Sequence, residues 1–230
     1  MSTDEVAIPA GMAYDDVLRR AIEIVTGDVR ISGLKVLGSL LASIPLLGGL
    51  LQLALDGVAI QIADAELTAY SPDNSFGKRF VFVLIASILS GVAVGIGLVL
   101  LVLPGIYLAL RLALVAPAVW VGDQGPIEAL SESWSRTDGH LWTVLVVEAV
   151  IFFGTMLVLV PAFVLTVGAS EAALQEFAQS PTIVVAPGFV LATAFVAATV
   201  GAVGTVSGVV MYRSFRPPVS VEDEPDFQTD

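Results

Sequence analysis

Apolar residues run almost without interruption over 31–67, 80–121 and 141–212. Each run exceeds the roughly 20 residues a helix needs to cross a bilayer. Pro45 with Gly48-Gly49 breaks the first run into a tight hairpin, and Pro104-Gly105 divides the second. A polar stretch holding Glu171 and Glu176 divides the third. The pattern predicts an all-α polytopic membrane protein, with six transmembrane helices arranged as three hairpins. Its spans fall at about 31–45, 48–67, 80–103, 106–121, 141–167 and 183–212. Pro45, Pro104 and Pro161 recur at similar intervals and hint at a hairpin repeat, although Pro161 is expected inside its helix rather than at a turn.

Two shorter stretches carry helical periodicity without the length to span. Residues 13–27 place Val17, Ala21 and Ile24 on one side, with Leu18, Ile22 and Val25 beside it. Residues 126–136 open on Pro126, a favoured first helical position. They put Ile127, Leu130 and Trp134 on one face, with Glu128, Glu132 and Arg136 on another. Glu132 and Arg136 sit at the i, i+4 spacing of an ion pair. Both segments read as cytoplasmic interfacial helices, lying in the headgroup plane or packed against the end of the bundle. The domain organisation that follows is a cytoplasmic segment over 1–29, a membrane domain over 30–213 and a disordered acidic tail over 214–230.

Basic residues orient this arrangement. With the N-terminus cytoplasmic, nine of the ten Lys and Arg fall at the inner side and only Arg111 lies within a span. That is the distribution expected of a multi-pass cell-membrane protein with both termini inside. Tyr70, Trp120, Trp134, Trp142 and Tyr212 cluster near the same interface. No signal peptide is expected, because Asp4, Glu5, Asp15 and Asp16 precede any apolar run.

Composition narrows the chemistry. The chain is 56% hydrophobic and 14% charged, with no Cys and one His. Thiolate nucleophiles and Cys-based metal sites are thereby excluded. A net charge of −12 makes nucleic acid a poor partner, since phosphate binding needs clustered bases. Most of the 22 acids fall in cytoplasmic segments, and Arg outnumbers Lys eight to two. This balance suggests a halophilic, acidic proteome, in which salt screens repulsion to a few Å.

From Leu103 to Trp142 the sequence reads LPGIYLALRLALVAPAVWVGDQGPIEALSESWSRTDGHLW. The elements Pro104-Gly105-Ile106-Tyr107, Arg111, Gly125-Pro126, Glu128-Ala129-Leu130, Ser133-Trp134, Thr137 and Gly139 resemble the membrane domain accompanying some bacterial glycerophosphoryl diester phosphodiesterases. They also resemble related stand-alone membrane proteins of halophilic archaea. The resemblance implies a six-helix membrane protein of uncharacterised role. It does not imply hydrolysis, since that activity belongs to a separate soluble domain with no counterpart here.

Ionisable groups inside spans are the functional candidates, because burying them there costs about 2.5–3.5 kcal/mol even on insertion scales. Asp56, Arg111 and Glu148 qualify. At about 1.5 Å per residue, Asp56 lies about 14 Å and Arg111 about 9 Å from the outer turns, with Glu148 about 12 Å from the inner end. Asp56 and Arg111 are therefore expected to meet, as an ion pair docking two hairpins. Alternatively, Gln52, Asp56, Arg111 and Glu148 line a solute or proton path, or Arg111 and Tyr107 bind a lipid phosphate. Gln52, Asp56, Ala59 and Ala63 form one polar and small stripe.

Small residues recur at helix-packing spacing at Ser87, Gly91 and Gly95, at Ala197 with Gly201, and at Gly204 with Gly208. They suit packing within one bundle, or a homodimer face. His140 reads as an interfacial residue and Gly125-Pro126 as a turn and helix start. No catalytic, metal or cofactor site is expected. The leading expectation is a non-enzymatic scaffold or accessory membrane protein, partnered by the bilayer and by another membrane protein or a second copy. The alternatives are a small transporter or channel, and a lipid-binding or lipid-modifying protein.

Overall fold

The structure, a computed structural model, describes residues 11–41, 47–67, 75–167, 175 and 187–215. Among these every regular element is helical. The Pro45 turn, Tyr70, Glu171, Glu176 and the acidic tail lie outside the described residues.

Helix α1 (Tyr14–Gly27) carries Asp15 and Asp16 in its first turn, where the helix dipole favours acids, and buries Val17, Ala21, Ile24 and Val25. Ile22, by contrast, is exposed. Asp28 then caps α2 (Val29–Leu41). Its carboxylate accepts from the Arg30 backbone N–H at 2.8 Å and from Arg30 Nε at 2.9 Å, satisfying an orphan donor of the first turn. Helix α3 (Leu47–Ala65) packs along α2.

Helix α4 (Phe76–Leu100) and α5 (Val102–Arg111) lie side by side. Their junction departs from the expected Pro104-Gly105 turn. The reversal sits at Leu101, in extended conformation at φ −159° and ψ 135°, and Pro104 already belongs to the first turn of α5. A first-turn proline loses no intrahelical bond, so it opens the helix rather than breaking it. Gly105 is needed where it is, because a Cβ there would come within 2.6 Å of the Leu98 backbone nitrogen, and one on Gly97 would come within 2.9 Å of the Gly105 Cα. The two glycines allow the backbones of α4 and α5 to meet.

The expected helix over 106–121 is also interrupted. After Arg111 the chain turns and restarts as α6 (Val115–Trp120). Pro117 explains the restart: continuing the helix through it would drive its ring against the carbonyl four residues back. Helix α7 (Pro126–Thr137) supplies the missing bonds. Ser133 Oγ accepts from Leu114 N–H at 3.1 Å and donates to the Arg111 carbonyl at 2.8 Å.

Helix α8 (Leu141–Val167) carries Pro161 in its interior, as expected. The last helix is α9 (Pro187–Val196), a π-helical turn (Ala197–Gly201) and α10 (Ala202–Ser214) in continuous succession. α9 packs on α8, and α10 packs on α1 and α3.

The largest fully buried side chains include Trp120, Phe215, Ile31, Leu114 and Met211. Trp120 lies so close over Gly57 of α3 that any side chain there would collide with the indole. Among the described residues four helical stretches are long and apolar enough to cross a membrane: Phe76–Leu100, Val102–Trp120 (which takes in the break between α5 and α6), Leu141–Leu165 and Leu191–Ser214. Helices α2 and α3, expected as spans, fall outside those four. Only 17% of the apolar window of α4 and 11% of that of α8 is buried within the chain. Apolar faces that large require lipid or protein around them.

Candidate functional site

The structure separates the expected Asp56–Arg111 pair. Asp56 on α3 accepts from Lys35 Nζ of the neighbouring α2 at 2.8 Å, with the Lys35 side chain 12% exposed. Lys35 stands about one helical turn into the first apolar run, on the helix that packs along α3. The packing of α2 along α3 brings Lys35 to Asp56.

Arg111, 8% exposed, is held by its own neighbourhood. Its Nε donates to Tyr107 Oη at 2.9 Å, one turn back on α5. Its other nitrogens donate to Asp138 Oδ1 at 3.0 Å and to the Trp134 carbonyl at 3.3 Å. The Tyr107 and Trp134 rings flank the guanidinium at 5.3 and 5.1 Å. Arg111 thus ties the α5–α6 break to the end of α7, and the two expected lipid-phosphate donors are bonded to each other.

Other arginines act alike. Arg213 meets both carboxylate oxygens of Asp64 at 2.7 and 2.8 Å. Arg79 donates to the Trp120 carbonyl at 2.7 Å. Arg136 bonds Glu132 at 2.6 Å, the i, i+4 pair expected from spacing, and also caps the end of α10 through the Tyr212 and Phe215 carbonyls at 2.6 and 2.8 Å. His140 stacks on Phe215 at 4.3 Å between ring centres.

What the fold does bring together is Asp56 and Glu148. Both line a cleft of about 300 Å³ between α3, α6, α8 and the last helix. Leu53, Ile60, Ala113, Ala116, Pro117, Trp120 and Ile151 form its apolar wall, while Thr205 with Gly201, Gly204 and Gly208 forms the opposite side. Thr205 Oγ1 donates to the Gly201 carbonyl at 3.1 Å. The π turn ends at Gly201, on the cleft wall. Gln52 and Arg111 are not part of this lining; Gln52 lies against Gly38 of α2 instead. Among the described residues no hydrogen bond or ion pair reaches the Glu148 carboxylate, which is exposed on α8.

The small-residue stripes divide into two kinds. A Cβ on Gly204 would touch Ile151 at 3.2 Å, and one on Gly208 would touch Pro117 at 3.5 Å, so these glycines serve packing within the bundle. Gly91 and Gly95 have open space where a Cβ would stand, and Ser87 and Gly91 are exposed. Among the described residues no other helix fills the space beside Gly91 and Gly95. Ala197 falls in the π turn.

A family model described as "Domain of unknown function (DUF7847)" matches residues 28–215, and the chain belongs to that family. No curated protein and no solved structure matches the chain. The likeness of residues 103–142 to phosphodiesterase-associated membrane domains gains no support from these comparisons.

Proposed function

We propose that this member of the DUF7847 family is a six-span cell-membrane protein with cytoplasmic termini, which works by packing against another membrane component rather than by catalysis. The observation carrying this reading is the outward stripe of α4. Ser87, Gly91 and Gly95 leave open space flanked by the exposed Ile88, Val92 and Ile96. Small residues at this spacing admit a second helix backbone at close range, and lipid tails pack such a groove less well. Meanwhile Arg79, Arg111, Arg136 and Arg213 are engaged in bonds between elements.

The six-span arrangement is supported by the side-by-side contacts of α2 with α3, α4 with α5 and α8 with α9. The bias of nine in ten bases supports the orientation. The acidic surface fits a salt-rich cytoplasm, and loss of thermal stability in low but not molar salt is the corresponding expectation.

The absence of native cysteine makes the test clean. Gly91→Cys in native membranes should cross-link to a partner or to a second copy, whereas Val83→Cys, on the buried side of the same helix, should not. Equal cross-linking of both, or of neither, would refute the packing role. A reporter active only in the cytoplasm, fused after Asp230, should be active.

A further inference from the structure

Glu148 is an anomaly of stability. It stands within the apolar helix Leu141–Leu165, and among the described residues nothing neutralises it. An unpaired carboxylate in such a helix is costly to keep, and glutamine would occupy the same space at less cost. The other charges in or beside the spans have found partners: Asp56 has Lys35, Arg111 has Asp138, and Asp64 has Arg213. Since Lys35 already balances Asp56, an ionised Glu148 would leave the cleft that holds both acids with one uncompensated negative charge.

The rest of the cleft determines what kind of cation would suit it. Its volume of about 300 Å³ lies at the small end of ligand sites. Its oxygen donors are few: the Glu148 carboxylate, the Asp56 oxygen not bonded to Lys35, and the lone pairs of Thr205 Oγ1, whose hydrogen is committed to Gly201. A calcium ion asks for six to eight oxygens and magnesium for an octahedron. No group of three or more acidic or His ligands occurs among the described residues. The remaining wall is aliphatic and aromatic, with Leu53, Ile60, Ile151 and Trp120. Such a surface suits the carbon body of an organic cation while Glu148 takes its charge. The π turn is a second and independent sign. It widens the last helix over Ala197–Gly201 and ends on this wall at Gly201, and such turns concentrate at functional sites.

We propose that the cleft between α3, α6, α8 and α10 binds a small organic ammonium group, with Glu148 as its counter-ion and Thr205 as a hydrogen-bond acceptor. The ammonium belongs either to a free amine or to an amine-bearing lipid headgroup, two sources with the same chemistry. The proposal goes beyond the packing role assigned to α4, which is on a different helix face. It rests on the membrane reading only for the cost of leaving Glu148 unpaired.

Thermal unfolding of the full chain in delipidated detergent solution tests it, with n-butylammonium as probe and n-butanol as its neutral counterpart. The wild type should gain a few degrees in Tm with rising n-butylammonium and less with n-butanol. Glu148→Gln should raise the Tm of the ligand-free protein and abolish the n-butylammonium response. Ala116→Leu, which fills the cleft while keeping the carboxylate, should also blunt that response. A null response to the free amine, with Glu148-dependent stabilisation by vesicles containing phosphatidylethanolamine but not by phosphatidylglycerol alone, would assign the headgroup as the source. Equal responses to the amine and the alcohol, a response that survives in Glu148→Gln, or no response to either amine source would overturn the proposal. The cysteine cross-links of α4 read the packing role separately, so failure of one leaves the other measurable.

Discussion

Arg213, at the end of α10, holds both carboxylate oxygens of Asp64, near the end of α3, across 149 residues of sequence. Asp64 is 5% exposed, so the pair closes one end of the bundle in a water-poor setting. Removing Asp64 takes from Arg213, whose side chain is 22% exposed, its two-pronged carboxylate partner. Asp64→Ala should therefore cost about 3–5 kcal/mol, seen as a large fall in Tm in detergent. A change within half a kcal/mol would show that the pair is open to solvent in the native protein.

The partner exchange at Asp56 makes a coupling prediction. In a double-mutant cycle, Asp56→Asn and Lys35→Gln should be non-additive by about 1–3 kcal/mol, with the double variant more stable than the sum of the singles implies. The same cycle with Arg111→Gln should be additive. Coupling to Arg111 in place of Lys35 would restore the arrangement expected from counting along the spans.

Ser133 spans the break between α5 and α6 with one hydroxyl. Ser133→Ala should leave the Leu114 N–H without its side-chain partner and the Arg111 carbonyl with only the longer Thr137 bond at 3.5 Å, and cost about 1–3 kcal/mol. Ser133→Thr keeps the hydroxyl and tests whether geometry or chemistry matters. Hydrogen exchange should rise locally around Leu114 in the alanine variant.

Asp28 links pH to stability. Its side-chain bond to Arg30, and then its backbone bond to the same residue, hold its carboxyl below the ordinary aspartate value. A folded-state value below the unfolded one means the carboxylate stabilises the fold fully above about pH 4. That contribution is lost as pH falls through the depressed folded value. Asp28→Asn should therefore lower Tm near neutrality and flatten the acid limb of the stability curve. A parallel curve displaced by a constant amount would show that ionisation of Asp28 contributes nothing.

Local pattern was enough for much of this architecture. The amphipathic spacing of residues 13–27 and 126–136 produced α1 and α7 almost residue for residue, and the Glu132–Arg136 pair followed from one helical turn. The apolar runs yielded long helices, four of them sufficient to span. These features depend on neighbours within a few positions, and periodicity records such neighbours. The break at 112–114 was only partly legible: Pro117 signals it, but the residue that makes it tolerable, Ser133, lies on another helix.

Pairing was where depth along a span misled. Counting residues from a turn places Asp56 and Arg111 at comparable heights, but it contains no information on which faces meet or which helices are neighbours. Those were decided by packing: Lys35 reaches Asp56 because α2 lies along α3, and Asp138 reaches Arg111 because α7 folds back on the α5–α6 break. The sequence by itself determined that the chain is helical, apolar enough for membrane and carries Asp56, Arg111 and Glu148 within its apolar runs. Only the tertiary structure decided which charges cancel and that Glu148 is left facing a cleft, because charge neutralisation depends on distances of a few Å between segments far apart in the chain.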